Sequence, residues 1–118
     1  MERVLLPWQR VLVVGPSMAP TLRSGDAVVV HRGGRIRSGD VVLARFRSMP
    51  DRMVVKRAVR PVDGGWELAS DNPFAGGDSA VHGIADVHGR ALLRLRRGWW
   101  PGPLAKRGSN RSNLGRSA

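Results

Sequence analysis

The sequence predicts an all-β fold, and three features predict it. Short apolar runs rich in β-branched residues recur along the chain, as in Ala27-Val28-Val29-Val30-His31 and Val41-Val42-Leu43-Ala44-Arg45-Phe46. Clusters of Gly, Pro, Asp, Asn and Ser punctuate them at short intervals, which is the pattern of strands joined by tight turns. No stretch carries apolar residues at the three-to-four spacing of an amphipathic helix. At most one minor helical turn is expected.

Taken in order, residues 4–14 form an apolar segment, strand or short helix, that packs beneath the loop following it. Strands are expected at 27–31, 41–46, 53–59, 66–69 and 89–96. The turns between them are Arg32-Gly33-Gly34, Ser38-Gly39-Asp40, Met49-Pro50-Asp51, Asp63-Gly64-Gly65 and Asn72-Pro73 through Gly76-Gly77. Two of the turns, Gly25-Asp26 and Gly39-Asp40, each precede a β-branched run. Glycine there permits positive φ and aspartate bonds nearby backbone, so both are read as turn chemistry and not as catalytic carboxylates.

A chain of 118 residues with 42% hydrophobic content fits one core, burying roughly two-thirds of the surface that its unfolded form exposes. Cysteine is absent, which excludes disulfides and thiolate metal sites. The basic excess is uneven: 18 arginines and two lysines face nine acids, and from Arg94 onward there are seven basic residues and no acid. The domain is therefore expected over 1–97, with a basic, disordered tail over 98–118 that is also rich in Gly, Ser and Asn. No membrane anchor is expected, because residues 1–14 are interrupted by Glu2, Arg3, Pro7, Gln9 and Arg10 and a span needs about 20 apolar residues. Trp99-Trp100-Pro101 could touch a membrane interface peripherally or cover the end of a sheet.

The chemistry concentrates in residues 15–30. Ser17 lies in Gly15-Pro16-Ser17-Met18-Ala19-Pro20, between two prolines that restrict the backbone on both sides. A serine hydroxyl needs a base to become a nucleophile. There is no Gly-x-Ser-x-Gly elbow, and His31, His82 and His88 are scattered, with structural or surface roles expected and no metal site. The better base is Lys56, in Met53-Val54-Val55-Lys56-Arg57-Ala58-Val59, where a strand puts it on the face of Val54 and Ala58 and turns Arg57 to the other. Apolar neighbours strip hydration from an ammonium group, lowering its pKa and leaving neutral amine near pH 7.

Gly-x-Ser-Met-x-Pro-Thr-Leu-x-x-Gly-Asp before an apolar strand, then Val-Val-Lys-Arg-Ala-Val, then Ser70-Asp71-Asn72 with Asp78-Ser79 and Gly83 beyond, resembles the S26 signal-peptidase family of Ser/Lys proteases. The resemblance covers roughly residues 13 to 95 and is nearest to the nickel-type superoxide dismutase maturation proteases. It implies a signal-peptidase-like (S24/S26) fold of coiled antiparallel sheets, a minimal catalytic core without the large inserted domain. It further implies Ser17 as nucleophile, Lys56 as general base and acid, and the Ser17 backbone amide as oxyanion donor. Met18, Pro20, Gly25, Asp26, Arg57, Asp71, Asn72, Asp78 and Ser79 are the structural residues of its boxes.

Three positions depart from the family pattern. Members commonly carry a serine where Gly76 stands, its hydroxyl orienting the lysine; Ser79 or a water is the expected replacement here. They commonly carry an arginine where Ala80 stands, so Asp78 loses an ion-pair partner. Some have a serine at the position of Gly15 that adds to the oxyanion hole. The implied activity is removal of an N-terminal propeptide from a protein precursor bound as an extended segment, the precursor being that of a nickel superoxide dismutase. The metal belongs to that substrate, and the enzyme needs no cofactor. A cytoplasmic location follows, with a peripheral position at the cytoplasmic membrane as the alternative. Two readings compete: a general type I signal peptidase, and a degenerate protease scaffold acting as a basic binding module. No nucleic-acid partner is expected, because interleaved exposed aromatics are lacking. A self-cleaving repressor is disfavoured by the lack of a DNA-binding helix pair.

Overall fold

The computed structural model describes residues 7–75, 77–96 and 100–104. Seven strands and one helical turn follow in order: β1 (Trp8–Leu12), β2 (Ala27–Arg32), β3 (Val41–Phe46), β4 (Val54–Val62), β5 (Gly65–Ala69), α1 (Ser79–His82), β6 (Ala85–Arg96) and β7 (Trp100–Pro103). Every pairing is antiparallel, as expected of strands joined by short turns. The sheet runs β1-β2-β6-β3-β4-β5, β7 adds to β6, and β5 touches β6 again through Trp66 and Ala85. The sheet thus coils back on its longest strand.

The all-β expectation holds, and the strands at 27–31 and 41–46 fall within one residue of their predicted ends. Residues 8–12 resolve the strand-or-helix alternative in favour of a strand, paired with β2 along its length. β4 runs three residues beyond the expected Val59, through Pro61, which pairs with Trp66 where the strand needs no donor from it. β6 begins four residues before the expected Gly89. That glycine was read as a strand start, yet it lies inside the strand: a Cβ there would come within 2.5 Å of the His31 carbonyl oxygen. Its missing side chain lets β2 approach β6.

The predicted domain boundary after residue 97 cuts through paired structure. Trp100–Pro103 hydrogen-bonds to Leu93–Arg96, so the sheet continues into the segment expected to be a disordered tail. Residues 105–118, Trp99 and the first six residues lie outside the described part of the chain.

β3 is buried on both faces and divides the core by strand period. Val41 and Leu43 join Met18, Leu22, Val28 and Val30 in one cluster beneath the serine loop. Val42, Ala44 and Phe46 join Ala58, Leu68 and Ala85 in the other. The two Gly-Asp turns behave as read: Gly25 and Gly39 take φ of +98° and +93°. Asp26 Oδ2 accepts from Arg23 N, and Asp40 Oδ2 from Arg37 N, each at 2.9 Å.

Gly89→Ala is expected to destabilise the protein by about 1–3 kcal/mol, because backbone and not a flexible side chain blocks the added methyl. Urea unfolding of the purified variant would show the midpoint falling; an unchanged midpoint would mean that β2 and β6 can separate freely.

Candidate active site

Ser17 and Lys56 line one cleft of about 510 Å³. One side is the chain from Val11 to Ser17, the other the chain from Arg52 to Lys56, with Leu43, Phe46 and Met49 between them and Ala75, Gly77 and His82 completing the lining. Met18, 1% exposed, is inserted into the core and holds the Ser17 loop down. Pro20, joined to Ala19 by a cis peptide, sits exposed at the far side of the same turn. Among the described residues the Ser17 N–H has no backbone acceptor.

Lys56 stands opposite Val42 on the face it shares with Val54 and Ala58, as strand period requires. It is only 6% exposed. Burial pushes its pKa down from the ordinary lysine value, the positive charge of Arg52 adds to the push, and the Asp78 carboxylate opposes it. Lys56 Nζ donates to Ser70 Oγ at 2.9 Å. Ser17 lines the same cleft.

The three residues of the Ser-Asp-Asn box each hold a different part of the site. Ser70 meets Lys56. Asp71 takes a two-pronged contact from Arg57, with Arg57 Nε to Oδ1 at 3.1 Å and Nη2 to Oδ2, and also accepts from Thr21 Oγ1 at 2.6 Å. Both side chains of that ion pair are at most 5% exposed. Arg57 Nη1 further donates to Gly39 O at 3.0 Å. Asn72 N donates to Ser17 O at 2.9 Å, and Asn72 Nδ2 donates to Pro16 O at 3.0 Å. The box therefore ties the serine loop to the lysine strand.

One expectation needs correction. Ser79 does not replace the missing hydroxyl at Gly76: its Oγ accepts from Leu68 N at 2.8 Å, fixing α1 to β5. Ser70 makes the contact instead, and Gly76 itself lies outside the described residues. Asp78, expected to lose an ion-pair partner because Ala80 replaces an arginine, is the N-cap of α1, its Oδ1 accepting from Ala80 N at 3.0 Å. His82, read as structural or surface, packs its ring 5.0 Å from Phe46 and also lines the cleft. A Cβ on Gly77 would lie 3.7 Å from both His82 Nε2 and Lys56 Nζ, so the imidazole and the amine flank one glycine. No sequence spacing places residue 82 there; the turn from Pro73 to α1 does. His31 is on β2 beside Trp8, and His88 is exposed on β6.

A coiled antiparallel sheet with a serine loop and a buried lysine lining one cleft is compatible with a peptidase. The chain belongs to the Peptidase S24-like family, whose model matches residues 10–90. It is also 43% identical over 119 aligned positions to the mitochondrial ATP-independent inner membrane protease subunit 1a of Arabidopsis thaliana, with 75% of this chain and 68% of that protein covered. Both findings agree with the S24/S26-type peptidase that the sequence resembles. Among the described residues no helix is long and apolar enough to cross a membrane.

Asp71→Ala should cost about 3–5 kcal/mol of stability, since it leaves the Arg57 guanidinium buried without its counter-charge; thermal and urea unfolding measure this, and a loss below 1 kcal/mol would show that the pair holds nothing. The charges around Lys56 should move a peptidase pH profile in opposite directions. Activity rises with pH as the amine loses its proton. Arg52→Gln removes a charge that lowers the Lys56 pKa, so the rising limb moves to higher pH; Asp78→Asn removes one that raises it and moves the limb to lower pH. Rate measurements across pH on both variants check the signs.

Proposed function

We propose that the protein is a serine endopeptidase that removes an N-terminal propeptide with a Ser17/Lys56 dyad, and that its substrate is the precursor of a nickel superoxide dismutase. The observation that carries the reading is the shared cleft, in which a serine on a clamped loop faces a lysine whose proton affinity is lowered by burial. The wording Val-Val-Lys-Arg-Ala-Val with Ser-Asp-Asn-Pro, which looks most like the maturation proteases, supports the particular substrate.

Two open sheet edges border the cleft. Among the described residues β1 ends the sheet, so Val11–Leu12 has no strand on its outer side. On β4, pairing with β5 covers Arg57 to Val62, which leaves Val54–Lys56 unpaired on that side among the described residues. An extended precursor segment can add its backbone to these edges and alternate its side chains into the apolar lining. The scissile carbonyl then lies between Ser17 and Lys56.

Neutral Lys56 takes the proton from Ser17 Oγ as that oxygen attacks the carbonyl carbon. The oxyanion forms against the Ser17 N–H. Protonated Lys56 then gives the proton to the leaving amine as the peptide C–N bond breaks, which leaves an ester on Ser17. A water enters where the amine left and loses a proton to Lys56. Its oxygen attacks the ester, and the proton returns to Ser17 Oγ as the acid departs. One oxyanion donor instead of two costs roughly a hundredfold or more in rate, which suits a slow, dedicated processing step. The nickel is bound later by the processed substrate.

A second reading, a general signal peptidase at a membrane surface, is favoured by the name of the plant relative and by exposed apolar side chains around the cleft, Leu12, Val14 and Met53. A cytoplasmic location goes with the first reading and a peripheral membrane position with the second.

The test is incubation of the chain, Ser17→Ala and Lys56→Ala with the nickel superoxide dismutase precursor and with a secretory signal-peptide precursor, reading new N-termini by mass spectrometry. Cleavage of the first at one bond, lost in both variants, is expected. Cleavage of the signal-peptide precursor alone would select the second reading. Survival of both would point to a binding scaffold.

A further inference from the structure

We infer that Ser70 is the positioning residue for Lys56, taking the role that a serine at position 76 would have. The inference rests on the Ser17/Lys56 reading, and it assigns a function to a hydroxyl that the box pattern leaves as a turn residue. Three observations carry it.

The first is register. β4 and β5 form a hairpin through Asp63-Gly64, whose φ values of 48° and 78° define a tight two-residue turn. Counting outward from that turn in a regular ladder puts Ser70 opposite Arg57. A bulge between Ala58 and Arg60 inserts Val59 and shifts the ladder, so Arg57 faces Ala69. Extending the shifted register one step past the last paired rung brings Ser70 level with Lys56, whose amine it meets. The bulge therefore delivers the hydroxyl to the amine.

The second is geometry. Lys56 Nζ donates to Ser70 Oγ at 2.9 Å. A neutral amine has two N–H bonds and one lone pair, and an acceptor that holds one N–H fixes the direction of the lone pair. The third is access. Ser17 lines the cleft together with Lys56, whereas Ser70 is not part of that lining. The serine on the substrate side is thus Ser17, and the serine bonded to the amine is Ser70.

The other groups around the amine are Asp78 and Arg52, whose charges oppose each other there, and His82 across Gly77. Among the described residues none of these three hydrogen-bonds to Lys56 Nζ. The Ser70 oxygen, as an acceptor, favours the ammonium form over the amine. Its removal should thus lower the lysine's proton affinity and release its orientation together. A merely structural serine would do neither.

This separates the inference from ordinary destabilisation. The chain has two lysines, Lys56 and Lys106, so lysine labelled with ¹³C at Cε gives two resonances, and Lys106→Arg leaves that of Lys56. In Ser70→Ala the Lys56 titration should move to lower pH, in the full-length protein without substrate. Precursor cleavage should nevertheless fall roughly tenfold to a hundredfold in kcat with KM little changed, as for a misdirected catalytic group. Ser70→Thr should restore both, and the unfolding midpoint should change little in either variant. An unmoved Lys56 titration in Ser70→Ala, or a moved one that Ser70→Thr fails to restore, overturns the inference. A Ser17→Ala variant that still cleaves overturns the dyad instead, and the titration reads Ser70 whichever precursor is cut.

Discussion

Everything at the cleft hangs on the buried pair of Arg57 and Asp71. Two charges at this depth lose several kcal/mol each of hydration, and the structure offsets that with a two-pronged contact, a threonine hydroxyl on the carboxylate and a carbonyl on the guanidinium. Four segments meet there: the serine loop through Thr21, the Gly39 turn, β4 through Arg57 and the box through Asp71. Because neighbouring residues on a strand point to opposite faces, anchoring Arg57 on one side of β4 orients Lys56 on the other. Fixing Asp71 likewise sets Ser70 and Asn72, one toward the amine and one toward the Ser17 loop.

The electrostatics of the cleft follow from what that pair removes. Arg57, the residue beside Lys56, is neutralised within the core and does not face the amine. Lys56 then responds mainly to its own desolvation, adjusted upward by Asp78 and downward by Arg52. No carboxylate hydrogen-bonds to it among the described residues, and a direct acid partner would lock it as an ammonium ion. The proposed base is polarised by burial and held by a neutral hydroxyl, which permits proton traffic in both directions.

Much of the fold was legible because its causes are local. Strand period and β-branching marked β2 and β3, and the Gly-Asp turns declared themselves through positive φ and short side-chain bonds. The misreadings share one cause as well. Gly89 looks like the start of a strand until a second strand is brought against it, and the pairing of Trp100–Pro103 with β6 cannot be read from a Pro- and Gly-containing sequence that resembles a linker. β6 pairs with β2, β3, β5 and β7. Such contacts depend on chain segments distant in sequence, and no local pattern reports them.

The sequence by itself determined the strands, the tight turns, the stiff presentation of Ser17 and the face on which Lys56 lies, since each follows from backbone restriction or from a period of two. The tertiary structure alone decided which hydroxyl meets the lysine. The sequence points to Ser79 or a water. One inserted residue in β4 shifts the β5 ladder and sends Ser70 to Lys56, while Ser79 is engaged by the Leu68 amide where α1 docks. A bulge changes which side chains face each other without leaving a distinctive residue behind, so the partner of the proposed base became visible only when the strands were paired.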